Sequence, residues 1–264
     1  MGIEEYQSAV RLWQSWNIRT AAELDRYLEN FRILFAYHSG KIENENITYN
    51  DTREIFENGR VIGYTGDTRT LFEQQNQKLC YEALKEKLAA KEPLSAELVK
   101  EIHCMLASGT YDERRYIVNG ERPGEFKKHD YVIGINESGS PPETVKDDLE
   151  ELLAEVTEAG GRDPLKAGTY LHARFEFIHP FADGNGRVGR TLLNYWLIIN
   201  DYPPLIVYDE DKKDYYEALR QYDESELLHP LESFFRGQTV KTWSRALEQE
   251  KEKNRRQRSL VDFL

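Results

Sequence analysis

The chain has 264 residues, 39% of them hydrophobic and 31% charged, enough for one substantial core with or without a helical extension. A formal net charge of −12 and a pI near 5.1 exclude nucleic acid as the main partner, because phosphate backbones need a basic face. Cys80 and Cys104 make neither a disulfide framework nor a zinc site, and no apolar run reaches membrane-span length, so no membrane partner is expected.

The opening Met1-Gly-Ile-Glu-Glu-Tyr6 is not a signal peptide, and a reducing cytoplasmic location is the expectation. Thr20 and Glu23 have capping-box spacing, and Leu24, Tyr27, Leu28, Phe31 and Leu34/Phe35 follow on one helical face. Ser39-Gly40 is expected to end that helix, with Lys41 starting a short new element. Thr48 and Asp51 offer a second cap ahead of Ile55 and Phe56. A long helix is predicted over 71–88, with Leu71, Gln75, Leu79 and Leu84 in register; another starts at Pro93-Leu-Ser95 and runs to about Leu106.

Between Tyr111 and Pro142, Gly and Pro are frequent, and the alternating stretch Tyr131-Val-Ile-Gly-Ile135 predicts a β-hairpin or extended flap, at about 124–142. Helices resume over 143–159, 164–177, 187–199, 212–220 and 226–235. The tail 239–258 is charged and helical in composition, its basic 254–258 cluster a solvated helix face. The expected fold class is all-α with a small β-hairpin flap: an N-terminal helical region (1–90), a core (91–237) and a charged tail (238–264).

The chemistry concentrates between Phe175 and Ile199. A helical stretch ends near Ile178, where Pro180 turns the chain. Gly184, Gly186 and Gly189 surround the start of the next helix, whose exposed N–H groups suit an anion. Arg187 and Arg190, three apart, leave one helical face within reach of phosphates. Asp183 is placed to hold a Mg²⁺ that bridges phosphate oxygens, and His179 to take a proton from an attacking hydroxyl. Anion cradle, metal carboxylate, two arginines and a base add up to a site for in-line phosphoryl or nucleotidyl transfer. No Gly-Lys-Ser/Thr follows the glycines, so this is not a Walker A loop. His172 has no third ligand spaced to make a metal site with His179.

From His179 to Arg190 the sequence reads HPFADGNGRVGR, and every defined position resembles the Fic family signature HPF-x-D/E-GNGR-x-x-R. The resemblance implies a mainly helical Fic fold that transfers AMP from ATP to a Ser, Thr or Tyr hydroxyl of a target protein, the chain itself included. His179 would then be the base and Asp183 the Mg²⁺ ligand; Gly184, Asn185, Gly186 and Arg187 would lie against the inner phosphates and Arg190 against the γ-phosphate. Tyr215 and Tyr216 would line the adenine pocket, and Val132, Ile133, Gly134 and Ile135 would belong to a flap that docks the target. Ser39-Gly-Lys-Ile-Glu43-Asn44 is similar to the family's inhibitory pattern S/T-x-x-x-E-G/N. It implies an N-terminal inhibitory helix (39–45) whose Glu43 pairs with Arg190 in place of the γ-phosphate.

Where relatives often carry Asn, this chain has Asp223, which leaves the donor base open. UMP or phosphocholine transfer, and removal of AMP by water placed at Glu43, are the neighbouring readings. Phosphorylation is disfavoured by the intact Gly184-Asn-Gly186, and a non-catalytic binding module by the retention of His179, Asp183 and both arginines. A homodimer stays open, as does the identity of the target.

Overall fold

The structure, a computed structural model, describes residues 2–43, 46–131, 139–159 and 162–261, the side chains of 254 and 257–261 excepted. Among these residues there are ten α-helices and no strand. They are α1 (Ile3–Ser15), α2 (Ala21–Glu43), α3 (Tyr49–Asn58), α4 (Thr68–Ala89), α5 (Ala96–Leu106), α6 (Val145–Ala159), α7 (Pro164–Ile178), α8 (Asn185–Ile199), α9 (Lys212–Ser225) and α10 (His229–Val261). The caps expected from sequence form: the Thr48 hydroxyl accepts from the Asp51 N–H at 3.2 Å, and Ser95 Oγ accepts from Leu98 N–H at 3.1 Å.

Among the described helices, α7 and α8 pack on each other most extensively. Phe175, Val188 and Leu192 enter one apolar cluster with α1, α4, α5 and α6, while Leu193, Leu197 and Ala173 enter a second with α9 and α10. Helix α8 is therefore buried on nearly every side, and each fully buried Leu or Val contributes about 1.5–3 kcal/mol to holding it there. No helix among the described residues is long and apolar enough to cross a membrane. Both cysteines are free thiols, Cys80 buried and Cys104 exposed.

Several expectations are corrected. Helix α2 does not stop at Ser39-Gly40; it runs unbroken to Glu43. Gly40 serves close packing there, since a Cβ on it would stand 2.0 Å from Gln74 Nε2 on α4. On α4 the buried face is not Leu71–Gln75–Leu79–Leu84: Leu79 is half exposed, and Glu73, Gln74, Asn76 and Gln77 go inside with Cys80 and Leu84. Apolar periodicity fails where the interior neighbours are themselves polar; Asn76, for example, donates to the carbonyls of Leu106 and Ser108. The helix expected from Glu226 starts at His229, because Glu226 caps α9 in the left-handed region (φ 56°). It then continues without a break through the charged tail.

No strand appears in the described part of the expected flap, 124–131 and 139–142, and residues 132–138 lie outside the described residues. Val132, Ile133, Gly134 and Ile135 fall among them. What precedes that segment is organised by the buried Glu121 carboxylate, which accepts from the Lys128 N–H (3.1 Å) and the Tyr131 hydroxyl (2.9 Å).

Candidate active site

The site is built on the turn between α7 and α8. His179 closes α7 in a left-handed conformation (φ 51°, ψ 61°), an arrangement costing about 1–2 kcal/mol for a non-glycine residue unless its surroundings impose it. They do: the His179 N–H donates to Phe175 C=O, Pro180 blocks further helix, and Phe181 is buried face to face with His103 at 3.7 Å. Asn185 then locks the loop from within, donating to Phe181 C=O (2.7 Å) and accepting from Phe181 N–H (3.0 Å). Gly184 (φ 80°) opens α8, and the first N–H to find an intrahelical acceptor is that of Val188. The N–H groups of the preceding turn are the donors an anion would meet. On either side of the turn, Lys127 N–H donates to Pro180 C=O (2.9 Å) and Ser140 N–H to Ile178 C=O (3.0 Å), so both flanks of the expected flap are fastened beside His179.

A ladder of alternating charge runs down one wall. Asp183 Oδ2 accepts from Arg69 Nη2 (2.6 Å), Arg69 Nε donates to Glu73 (3.0 Å), and Glu73 Oε1 lies 3.4 Å from Arg187 Nη2. Arg187 and Glu73 are buried, and Arg187 Nη1 also donates to Leu106 C=O (3.1 Å). Two buried charges side by side are tolerated here because each is paired and hydrogen-bonded.

The opposite wall is the end of α2. Arg190, itself buried, donates from Nε to Ser39 Oγ (3.0 Å) and from Nη2 to Ser39 C=O (3.2 Å) and Glu43 Oε1 (2.7 Å). Glu43 reaches in over Gly186, whose missing Cβ would stand 2.6 Å from Glu43 Oε1. Burial works to raise the Glu43 carboxyl, but Arg190, through its charge and hydrogen bond, and Arg187 outweigh it and hold the carboxyl below its ordinary value. Glu43 is thus an anion held on Arg190, with Arg187 acting on it through charge alone.

His179 faces this space as a neutral imidazole. Burial and the nearby Lys127 ammonium push its pKa down to about 4, against the opposing influence of the Glu176 carbonyl and the Asp183 and Glu43 charges. One helical turn back, Glu176 has a buried carboxyl oxygen with no hydrogen bond, and burial with the Glu43 and Asp223 charges raises its pKa to about 7.

The structure brings together His179, Asp183, Gly184, Asn185, Gly186, Arg190, Ser39 and Glu43. It turns the Arg187 guanidinium toward Glu73 and the Asn185 amide into the loop. The two tyrosines part: Tyr216 is 44% exposed, whereas Tyr215 is 1% exposed with its hydroxyl on His172 Nε2 (2.7 Å). Sequence reasoning missed Arg69, Glu73 and His103, which lie outside any motif, and Glu176. The last had a signal, a charge set in the apolar run Phe175-Glu-Phe-Ile178. Asp183 offers a carboxylate with one oxygen on Gly184 N–H (2.8 Å) and the other on the Arg69 cation, a donor of the hard-oxygen kind that Mg²⁺ takes alongside phosphate oxygens.

Residues 93–197 match the model of the Fic/DOC family. The protein adenylyltransferase fic-1 of Caenorhabditis elegans is 26% identical over 77% of the chain, and the protein adenylyltransferase Fic of Drosophila persimilis 28% identical over 78%. The chain spans 39% of the length of either relative. A Fic-domain-containing signalling protein from Bacteroides thetaiotaomicron superposes with a TM-score of 0.79 at 23% identity, covering 94% of this chain and 97% of that one, which shows the shared fold.

Proposed function

We propose, for a chain whose residues 93–197 form a Fic/DOC-family domain, that it transfers AMP from ATP to a hydroxyl of a target protein and is held mostly off by Glu43. The observation that carries this reading is the meeting, around the turn between α7 and α8, of a half-buried, neutral imidazole, a helix N-terminus and an arginine already gripping a carboxylate. In the reaction the target oxygen attacks the α-phosphorus, and its proton passes to His179. The bond from the α-phosphorus to the α,β-bridging oxygen breaks, and pyrophosphate leaves. A positioned base of this kind contributes roughly 10²–10⁴-fold. The α8 N–H groups stabilise charge that develops on the α-phosphate oxygens. Asp183 would hold Mg²⁺, which when bound neutralises phosphate charge; Arg69 would then release one carboxylate oxygen.

Glu43 supports the restrained state by occupying the guanidinium that a γ-phosphate would take. A carboxylate and a phosphate are competing fork-shaped partners for one arginine. The 132–135 segment, between flanks tied to the backbone around His179, is where a target chain would dock. ATP and a protein acceptor are the implied partners.

Incubating the parent, Glu43→Gly and His179→Ala proteins with labelled ATP, UTP or CDP-choline, with and without lysate, tests the reading by intact mass. Strong AMP addition by Glu43→Gly and none by His179→Ala is expected. Equal transfer by Glu43→Gly and parent removes the brake, and addition of UMP or phosphocholine alone changes the donor. Faster loss of AMP from a modified target with the parent than with Glu43→Gly would assign Glu43 to removal.

A further inference from the structure

The short turn ahead of α9, Asp209–Asp211, sets three carboxylates in a row, and an imidazole from α2 meets them. His38, which directly precedes Ser39, is buried, and its Nδ1 lies 2.6 Å from Asp209 Oδ1. Edge-on packing against Tyr37 (4.9 Å) and Tyr208 (4.6 Å) fixes the plane of the ring. Taking one ligand atom from each side chain, His38, Asp209 and Glu210 place a nitrogen and two carboxylate oxygens within 4.8 Å of one another. Among the described residues, no other three His, Cys, Asp or Glu side chains come together so closely.

The charges around this group favour a cation. Lys241 Nζ stands between Glu210 Oε1 (2.8 Å) and Asp211 Oδ2 (2.6 Å), and Gln238 also donates to that Asp211 oxygen (2.8 Å). Asp209 is left with the imidazole, and burial lowers the His38 pKa against the pull of Asp209, so at neutral pH the ring carries no charge. An ion entering between them meets a carboxylate charge and a ring nitrogen whose proton moves to Nε2. Nitrogen and oxygen ligands at about 2.0–2.2 Å from a tetrahedral ion stand about 3.3 Å apart. The His38–Asp209 contact opens by several tenths of an ångström to reach that spacing. Glu210, which is exposed, swings in while Lys241 keeps Asp211, and water completes the shell on the open side. An imidazole ligand selects a borderline transition ion over Mg²⁺ or Ca²⁺, which take oxygen ligands.

We infer that His38, Asp209 and Glu210 form a binding site for a divalent transition-metal ion of the Zn²⁺ class, which clamps the last turns of α2 to the segment ahead of α9. The ion replaces a single hydrogen bond between these two parts of the chain with three metal–ligand bonds. The site lies apart from the catalytic turn and needs neither the Arg190 nor the His179 reading, so its failure leaves both untouched.

The test titrates the full chain, first stripped with a chelator, with Zn²⁺ alone by calorimetry, and repeats the titration in excess Mg²⁺. His38→Gln keeps an amide donor for Asp209 but is a poor metal ligand. It, Asp209→Asn and Glu210→Gln should each weaken Zn²⁺ binding by about tenfold or more, while Mg²⁺ should not compete. Glu224→Gln, on an exposed part of α9, and Asp183→Asn, at the catalytic turn, should bind Zn²⁺ as the parent does. Hydrogen exchange at the end of α2 should slow severalfold with Zn²⁺ in the parent and not in His38→Gln. Parent-like affinity in His38→Gln and Glu210→Gln would mean that Zn²⁺ sits on other carboxylates, and displacement by Mg²⁺ would mean that the imidazole is no ligand; either overturns the site. Binding lost in the variants with no slowing of exchange in the parent would overturn the clamp. Thermal melting shows that each variant is folded; should His38→Gln not fold, the exposed Glu210→Gln decides.

Discussion

Arg190 is tied to Ser39 at two points, side chain and main chain, and to Glu43 at one. The last turns of α2 therefore hold the arginine through three acceptors. Glu43 supplies the charge, but 36% of its side chain is open to water, which weakens an ion pair relative to an enclosed one. Ser39, by contrast, is buried.

Ser39 should accordingly matter to the restraint in its own right. Ser39→Ala removes the Oγ acceptor and leaves the carbonyl bond, so resting AMP transfer should rise about tenfold, less than with Glu43→Gly. Rates of self-modification with labelled ATP measure this. Transfer by Ser39→Ala at the parent rate would show that the carboxylate alone restrains the arginine.

The depressed pKa of His179 fixes a pH profile. An ordinary histidine, near 6.5, would lose base strength through mild acid; here the ring stays neutral until about pH 4. For Glu43→Gly, kcat/KM, which reports the free enzyme, should stay level from pH 8 to about 5.5. A fall with a midpoint at 6.5 or above would contradict a base that stays neutral through mild acid. His103 and His172 are depressed in the same way, to about 4 and 3, chiefly by burial. Folding stability carried by these neutral rings is present above 6.5 and is lost as pH falls, so melting temperatures must accompany the rates.

How far the sequence reveals this site depends on which interactions are local. The turn from His179 to Gly184, the α8 start and Arg190 were readable because cap, loop and helix N-terminus are set by neighbours in the chain. The partner of Arg190 was readable only through the pattern around Ser39 and Glu43, more than 140 residues earlier, and the continuous helix through Gly40 was not. Gly40 looks like a break until Gln74 is seen pressing against it. Glu73 and Arg69 lie on the first half of α4, ahead of its apolar stripe Cys80–Leu84–Leu88, and their placing is decided by Arg187 and Asp183 from elsewhere in the chain. Tyr215 and Tyr216 are consecutive and chemically alike, and only the packing of α9 on His172 and Phe235 sends one inside.

Glu176 predicts an opposite pH trend. Its carboxyl is raised from 4.5 to about 7, first by burial and then by the Glu43 and Asp223 charges. The folded state thus binds more protons than the unfolded one between those values, and this group's contribution to stability declines as pH rises through them. Glu176→Gln removes the ionisation. The melting temperature of Glu176→Gln minus that of the parent should therefore increase from pH 5 to pH 8, by several degrees for a carboxyl so placed. A difference that is flat across this range would mean that Glu176 ionises normally.

One contact lies just outside the restraint and should control it. His38, the residue before Ser39, is buried, and its Nδ1 lies 2.6 Å from Asp209 Oδ1 in the turn that leads into α9. The ring also packs edge-on against Tyr208 at 4.6 Å, and Lys241 holds the neighbouring Glu210 and Asp211. This pins the last turns of α2, with Ser39 and Glu43, to the segment that carries Tyr215. His38→Ala should free that end and raise resting transfer severalfold, at a stability cost of about 1–3 kcal/mol for the lost buried contact. The decisive comparison is the double variant. Once Glu43→Gly has removed the restraint, adding His38→Ala should leave transfer unchanged, because it has nothing left to release. The same gain in both backgrounds would place His38 outside the restraint, acting on the catalytic turn directly.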